Sequence, residues 1–131
     1  MIVIDTSAII AILAREADAD FFLGVISDNT GCVISAATLV ELSIVGRRFR
    51  RAAGLATYDD FLIRYEIAIH SFDEAQARIA ADAYRRFGRG NHPASLNLGD
   101  CFSYALAKSL GSPLLFKGED FALTDVHRAV G

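Results

Sequence analysis

Tryptophan is absent from this 131-residue sequence, methionine occurs once, and proline and cysteine occur twice each. Cys32 and Cys101 are far apart, and neither has a Cys or His neighbour at zinc-ligand spacing. That excludes a zinc finger or ribbon, and two thiols are too few for the disulfide framework of a small secreted domain. Two reduced, buried thiols are the expectation, which points to the cytoplasm. Prolines 93 and 113 define no linker, and no repeat or low-complexity tract is present. The opening MIVIDTSAIIAILA is strongly apolar but has no basic segment before it and is broken by Asp5. It therefore reads as neither a secretory leader nor a membrane span, and no uninterrupted apolar run approaches the roughly 18 residues a span needs. A basic excess is also missing: 13 Lys and Arg stand against 16 Asp and Glu, for a net charge of −3. Proteins that simply coat nucleic acid are normally basic. If four of the 16 acids were committed to a cation, 12 would remain against 13 bases, a balance of +1, so the charge weakens a nucleic-acid role without excluding it.

What is present is apolar residue content, 53% of the chain, enough for one buried core over residues 1–131. Ile2–Ile4 is a short β-branched run that predicts a buried strand, ended by Asp5, with Thr6 or Ser7 able to cap a following helix. Ala17–Ser27 predicts a second helix, with Phe21, Phe22, Val25 and Ile26 as an apolar stripe. Cys32–Ser35 is the next strand candidate. Ala37–Arg50 and Thr57–Tyr65 read as helices, and Ile67–Ile69 as a short strand. Asp73–Phe87 is the clearest helix, acidic in its first turn and carrying Arg85 and Arg86 in its last, as the helix dipole favours. Residues 88–98 form a Gly/Asn/Pro-containing loop. A helix opening at Gly99-Asp100 runs to about Leu110, where Gly111 stops it. Leu114–Phe116 is the last strand. Strands alternating with helices predict an α/β domain with a mainly parallel sheet covered on both faces. Ligands of such sheets bind beyond the carboxyl ends of the strands.

Four acidic residues fall at places that matter in that topology. Asp5 directly follows the first strand, and Asp120 lies four residues beyond the last. Taken singly, Asp5 could be a helix cap and Asp120 a turn residue in Gly118-Glu119-Asp120. Glu41 has Val40 and Leu42 beside it and Ala37, Thr38, Ile44 and Val45 one turn away, an almost wholly apolar setting that predicts an inward carboxylate. Such a group needs a partner, a metal or a proton; an ion pair with Arg47 or Arg48 is the plainer alternative. Asp100 opens a helix whose next residues, Cys-Phe-Ser-Tyr-Ala-Leu-Ala, are core-like, although capping alone would account for an acid there. Carboxylates converging on one sheet edge repel each other unless a cation neutralises them. Mg²⁺ and Mn²⁺ are hard ions suited to an all-oxygen site, and no His or Cys cluster competes for the ligand role.

The segments MIVIDTSAIIAIL, TLVELSIV, LNLGDCFSYALAK and LLFKGEDFALTDV, in that order and spacing, resemble PIN-domain ribonucleases, and more narrowly the VapC-type toxins of bacterial toxin–antitoxin pairs. The resemblance covers essentially the whole chain. It implies a three-layer α/β/α fold and Mg²⁺-dependent (or Mn²⁺-dependent) cleavage of RNA. The family's acidic positions fall on Asp5, Glu41, Asp100 and Asp120, with Asp125 in TDV a competitor for the fourth. Thr6 matches a hydroxyl that helps to orient the site. A small VapB-type antitoxin that blocks the site, and a homodimer, are also implied. On this reading Asp5 and Asp100 hold the ion directly, while Glu41 and Asp120 complete the shell, bind a second ion or orient water.

Other features carry less. Arg47, Arg48, Arg50 and Arg51 form a basic run explained by dipole complementation or by phosphate contact. Lys117 and Arg89 are better placed to meet RNA if the 88–98 loop borders the site. His70, His92 and His127 share no ligand spacing, and Tyr104 reads as a core residue. Two rival functions remain: a phosphoacceptor domain using Asp5, although Ser7 breaks the Asp-x-Asp pattern of one such class, and a catalytically silent protein-binding module.

Overall fold

In the computed structural model, residues 1–49 and 58–129 are described. Arg50 and Arg51 of the basic run, and Thr57 at the start of an expected helix, lie outside them. The strands are β1 (Ile2–Ile4), β2 (Cys32–Ser35), β3 (Ala68–His70) and β4 (Leu114–Leu115). The helices among the described residues are α1 (Thr6–Leu13), α2 (Ala19–Asp28), α3 (Ala36–Val45), α4 (Tyr58–Arg64), α5 (Glu74–Phe87) and α6 (Leu98–Leu110). The strands form one sheet in the order β3-β2-β1-β4, and every pairing is parallel. Ile2 faces Cys32, Val3 faces Leu114, and Val33 faces Ala68. No helix among the described residues is long and apolar enough to cross a membrane.

The period-2 geometry of a strand divides the core. Ile2 and Ile4 of β1 pack on one face with Ile9, Leu13, Phe22, Leu42 and Phe61 from α1, α2, α3 and α4. Val3 points to the other face and joins Ala83 and Phe87 of α5 and Tyr104 and Leu106 of α6. Both sheet faces are thus covered, which is the expected three-layer α/β/α arrangement. It also explains why the strands read as continuous apolar runs rather than alternating ones.

Local chemistry moves several boundaries. The residue capping α1 is Asp5, not Thr6 or Ser7: its carboxylate accepts from Ser7 N at 3.0 Å. The helix expected over Ala37–Arg50 ends as an α-helix at Val45 and tightens into a 3₁₀ turn over Gly46–Phe49, where glycine weakens helix continuation. The last helix starts earlier than expected, because Asn97 caps it. Asn97 Oδ1 accepts from Asp100 N at 2.8 Å, and Asp100 Oδ2 accepts from Asn97 N at 3.0 Å, a reciprocal capping box. Gly111 closes α6 at φ 60°, a left-handed position that glycine adopts without strain.

Candidate active site

β1 delivers Asp5 to the carboxyl edge of the sheet, and β2 ends one strand away at Ser35, whose side chain caps α3. α3 then carries Glu41 back toward the start of α1. Thr6 Oγ1 donates to Glu41 Oε1 at 2.7 Å, joining the first turn of α1 to α3. α6 enters beside both. Ser103 Oγ donates to Asp5 Oδ1 at 2.6 Å, and Thr38 Oγ1 lies 3.5 Å from Ser103 Oγ. At Gly99 a Cβ would fall within the Glu41 carboxylate, so any side chain there would turn Glu41 away from its present position. Glycine at this position lets α3 and α6 bring Glu41 and Asp100 together.

Burial acts on all three carboxylates, and repulsion adds to it at Glu41 and Asp100. Asp5 is buried, and desolvation pushes its pKa up against the opposing hydrogen bonds from Ser103 and Ser7. Burial also raises Glu41; the Thr6 hydroxyl opposes that shift and the Asp5 charge adds to it. Asp100 is pushed up to about 7, first by burial, against the Asn97 N–H, and then by the charges of Asp5, Asp120 and Glu41. All four acids singled out from the sequence are therefore close enough to interact. Asp120 is the exposed member, at the head of the 3₁₀ turn Phe121–Leu123.

The competitor for the fourth position is engaged elsewhere. Asp125 Oδ1 accepts from Tyr104 Oη at 2.6 Å, while its Oδ2 lies 3.3 Å from Lys108 Nζ and 3.7 Å from Arg86 Nη2. Tyr104 is a core residue, 2% exposed, as its sequence setting suggests.

One expectation about Glu41 needs correcting. Its apolar setting does not mark a buried helix face, since Val40 and Ile44 are 60% and 64% exposed. Glu41 is half-buried at the boundary and accepts from Thr6; among the described residues it makes no ion pair with Arg47 or Arg48. Lys117, expected to be placed to meet RNA, is paired with acids of its own chain: its ammonium lies 2.6 Å from Glu16 and 3.1 Å from Asp18. Arg89 has no ion pair among the described residues.

Three supporting residues escaped the sequence reading: Ser103, Thr38 and Asn97. The signal for Ser103 and Thr38 is spacing, because each lies three residues from an acid on the same helix, Asp100 and Glu41 respectively. The donor set of Asp5, Glu41, Asp100 and Asp120 is all oxygen, which suits a hard divalent cation. Among the described residues, no three Asp, Glu, His or Cys side chains are gathered tightly enough to hold an ion as they stand. Glu41 is turned onto Thr6 and Asp100 onto the Asn97 N–H. Asp5 accepts one hydrogen bond on each oxygen, from the Ser103 hydroxyl and the Ser7 N–H, and each oxygen keeps a further lone pair.

Residues 2–126 match the family model described as PIN domain. A ribonuclease VapC of Mycolicibacterium smegmatis is 50% identical over 125 residues, covering 95% of this chain and 96% of its own length. Ribonuclease VapC42 of Mycobacterium tuberculosis is 44% identical over 128 residues, covering 97% and 98% respectively. Among solved structures, the M. tuberculosis sarcin-ricin loop cleaving toxin VapC20 superposes with a TM-score of 0.72 at 17% identity, over 96% of each chain. VapBC2 of Rickettsia felis, bound to a DNA fragment from its promoter, gives 0.72 at 16% identity, over 98% of this chain and 96% of the other. At such identities these two likenesses bear on the fold alone.

Proposed function

Since the chain belongs to the PIN-domain family, in its VapC-type branch, we propose that it is a metal-dependent endoribonuclease acting as the toxin of a toxin–antitoxin pair. The observation that carries this reading is the gathering of Asp5, Glu41 and Asp120 around Asp100 beyond the carboxyl ends of the strands, near enough that their charges add to burial in raising its pKa. Ionised carboxylates held at one sheet edge are unfavourable alone and become useful when a cation neutralises them.

Asp5 and Asp100 would hold Mg²⁺ or Mn²⁺, with Glu41 and Asp120 completing the set. When bound, the ion would lower the pKa of water and offset charge developing on a phosphodiester. The chain's own residues supply position. Ser103 and Ser7 hold Asp5 in one orientation, and Thr6 holds Glu41. The Asn97 N–H holds one oxygen of Asp100, leaving the other for the site. Without a cation, Asp100 is only partly ionised near neutral pH; cation binding favours release of its proton.

A VapB-type antitoxin, an RNA substrate and a second copy of the chain are the partners this reading requires, with a cytoplasmic location. The exposed apolar side chains of Val40 and Ile44 on α3 offer a face for a protein contact beside the acids. The solved relatives include a toxin–antitoxin complex from Klebsiella pneumoniae. Expression toxicity tests the reading in cells. Wild type should arrest growth, and Asp5→Ala should be harmless while accumulating as folded protein. Equal toxicity of the two would contradict it and favour a role for the chain as a binding module.

A further inference from the structure

The loop joining α5 to α6 is tightly built. Gly88 and Leu96 form a parallel bridge, Arg89 N donates to Leu96 O at 3.0 Å, and Leu96 N donates to Phe87 O at 3.0 Å. Ala94 N donates to His92 Nδ1 at 3.0 Å, and the His92 ring meets Phe87 edge-on at 5.1 Å. Ala94 and Leu96 are fully buried beneath it. This scaffold fixes Arg89 relative to Tyr84 and Asn97, and those three residues with Leu98 line a cleft of about 240 Å³.

The cleft's chemistry is specific. Tyr84 keeps 46% of its surface exposed and Leu98 66%, so an aromatic ring and an apolar side chain are open to a ligand. Arg78, Arg85 and Arg86 on α5 are all paired with acids, Glu74 or Asp82. Arg89 has no such partner among the described residues. Asn97 uses its Oδ1 to cap α6, and its carboxamide N–H groups make no hydrogen bond among the described residues. Asn97 is itself hydrogen-bonded to Asp100, so the cleft adjoins the acids directly. An open aromatic ring, an uncompensated guanidinium and amide donors together are the elements that recognise an unpaired nucleotide: stacking, phosphate contact and base-edge hydrogen bonding. A cleft lined by Phe21, Phe116, Lys117 and Arg128 is less suited, because Glu16 and Asp18 already occupy its lysine, and the cleft beside Glu41, lined by Val40, Ile44, Leu98 and Phe102, offers a phosphate no cation.

We propose that the Tyr84–Arg89–Asn97 cleft seats one unpaired nucleotide of the RNA, flanking the phosphodiester presented to Asp100. This rests on the nuclease reading above. Tyr84 stacks on the base, Arg89 faces its phosphate, and Asn97 couples the seated nucleotide to the orientation of Asp100.

The test is binding of a fluorescently labelled single-stranded oligoribonucleotide of mixed sequence, followed by anisotropy in EDTA, alongside cleavage kinetics with Mg²⁺. Tyr84→Ala should weaken binding about five-fold or more, and Tyr84→Phe should bind like wild type, because stacking needs the ring and not the hydroxyl. Arg89→Ala should reduce the slope of log affinity against log salt by about 0.7, the loss of one single-strand phosphate contact. In cleavage, Tyr84→Ala should raise KM and leave kcat within about two-fold, the pattern of lost substrate binding. Unchanged binding by Tyr84→Ala alongside normal Mg²⁺-dependent cleavage would overturn the cleft and leave the nuclease. Tyr84-dependent binding without any cleavage by wild type would overturn the nuclease and leave an RNA-binding cleft. Equal weakening by Tyr84→Phe and Tyr84→Ala would overturn the stacking role.

Discussion

Thr6 Oγ1 and Glu41 Oε1 are 2.7 Å apart, and this bond ties the first turn of α1 to the middle of α3 across 35 residues of sequence. The hydroxyl is buried and aims one carboxylate at its place beside Asp5. Thr6→Val keeps the shape and removes the donor. Its RNA cleavage should fall about ten- to a hundredfold, the usual effect of losing a group that orients a metal ligand. Thr6→Ser should restore most of it. Steady-state cleavage by the three proteins measures this, and equal rates would show that Glu41 needs no positioning.

Gly99 makes a second, steric prediction. A methyl group there collides with the Glu41 carboxylate, so Gly99→Ala must displace α3 or rotate Glu41 away. Rotation is the cheaper response, because the colliding atoms are the far end of a flexible side chain. Cleavage should therefore fall while denaturant unfolding changes little. A crystal structure of Gly99→Ala with Glu41 unmoved would contradict the close approach.

The raised carboxylates set the pH dependence of stability. Asp100 has a folded pKa of about 7, above its ordinary value of 3.8; Asp5 and Glu41 shift in the same direction. Between the two Asp100 values the folded state binds more protons than the unfolded chain, so its relative stability is complete below the lower value and is lost as pH rises through about 7. In EDTA, the melting temperature should therefore fall from about pH 5 to about pH 8. Asp100→Asn should flatten that slope, and Mg²⁺ should raise the wild-type melting temperature most at the alkaline end. A wild-type melting temperature that rises across this range in EDTA would contradict the assignment.

Asp120 and Asp125 should separate by phenotype. Asp120 is exposed and adds to the repulsion on Asp100, so Asp120→Asn should reduce cleavage and leave melting nearly unchanged. For Asp125, burial raises the pKa, but bonds from Tyr104 and Lys108 outweigh it and hold the carboxyl below its ordinary value. Asp125→Ala leaves the buried Tyr104 hydroxyl without its acceptor, at about 1–2 kcal/mol of stability, with cleavage largely retained. Paired melting and cleavage measurements decide, and the reverse pattern would exchange their roles.

Much of this architecture was legible in the sequence because it depends on short-range pattern. The β-branched run before Asp5, the dipole-matched ends of Asp73–Phe87 and the glycine after Leu110 each carry their own signal. The three-layer arrangement follows from strands that read as unbroken apolar runs. The start of α6 was hidden, because Asn97 and Asp100 satisfy each other across what reads as loop. The environment of Glu41 was misread because helix α3 is apolar on an exposed side as well, with Val40 and Ile44 outward. Long-range pairings carried no local mark of their partners, even at Ser103, where helical spacing marks the residue itself: Lys117 with Glu16 and Asp18, Tyr104 with Asp125, and Ser103 with Asp5. They form only once the sheet has brought β4 and α6 beside β1.

Metal-dependent RNA cleavage by the acids at the sheet edge is tested most directly with defined RNAs incubated with the purified protein, in Mg²⁺, in EDTA, and in Mg²⁺ with Asp100→Asn. Cleavage should occur with Mg²⁺, stop in EDTA, return when Mg²⁺ is added back, and be lost in folded Asp100→Asn. Cleavage that survives both chelation and the substitution would contradict it.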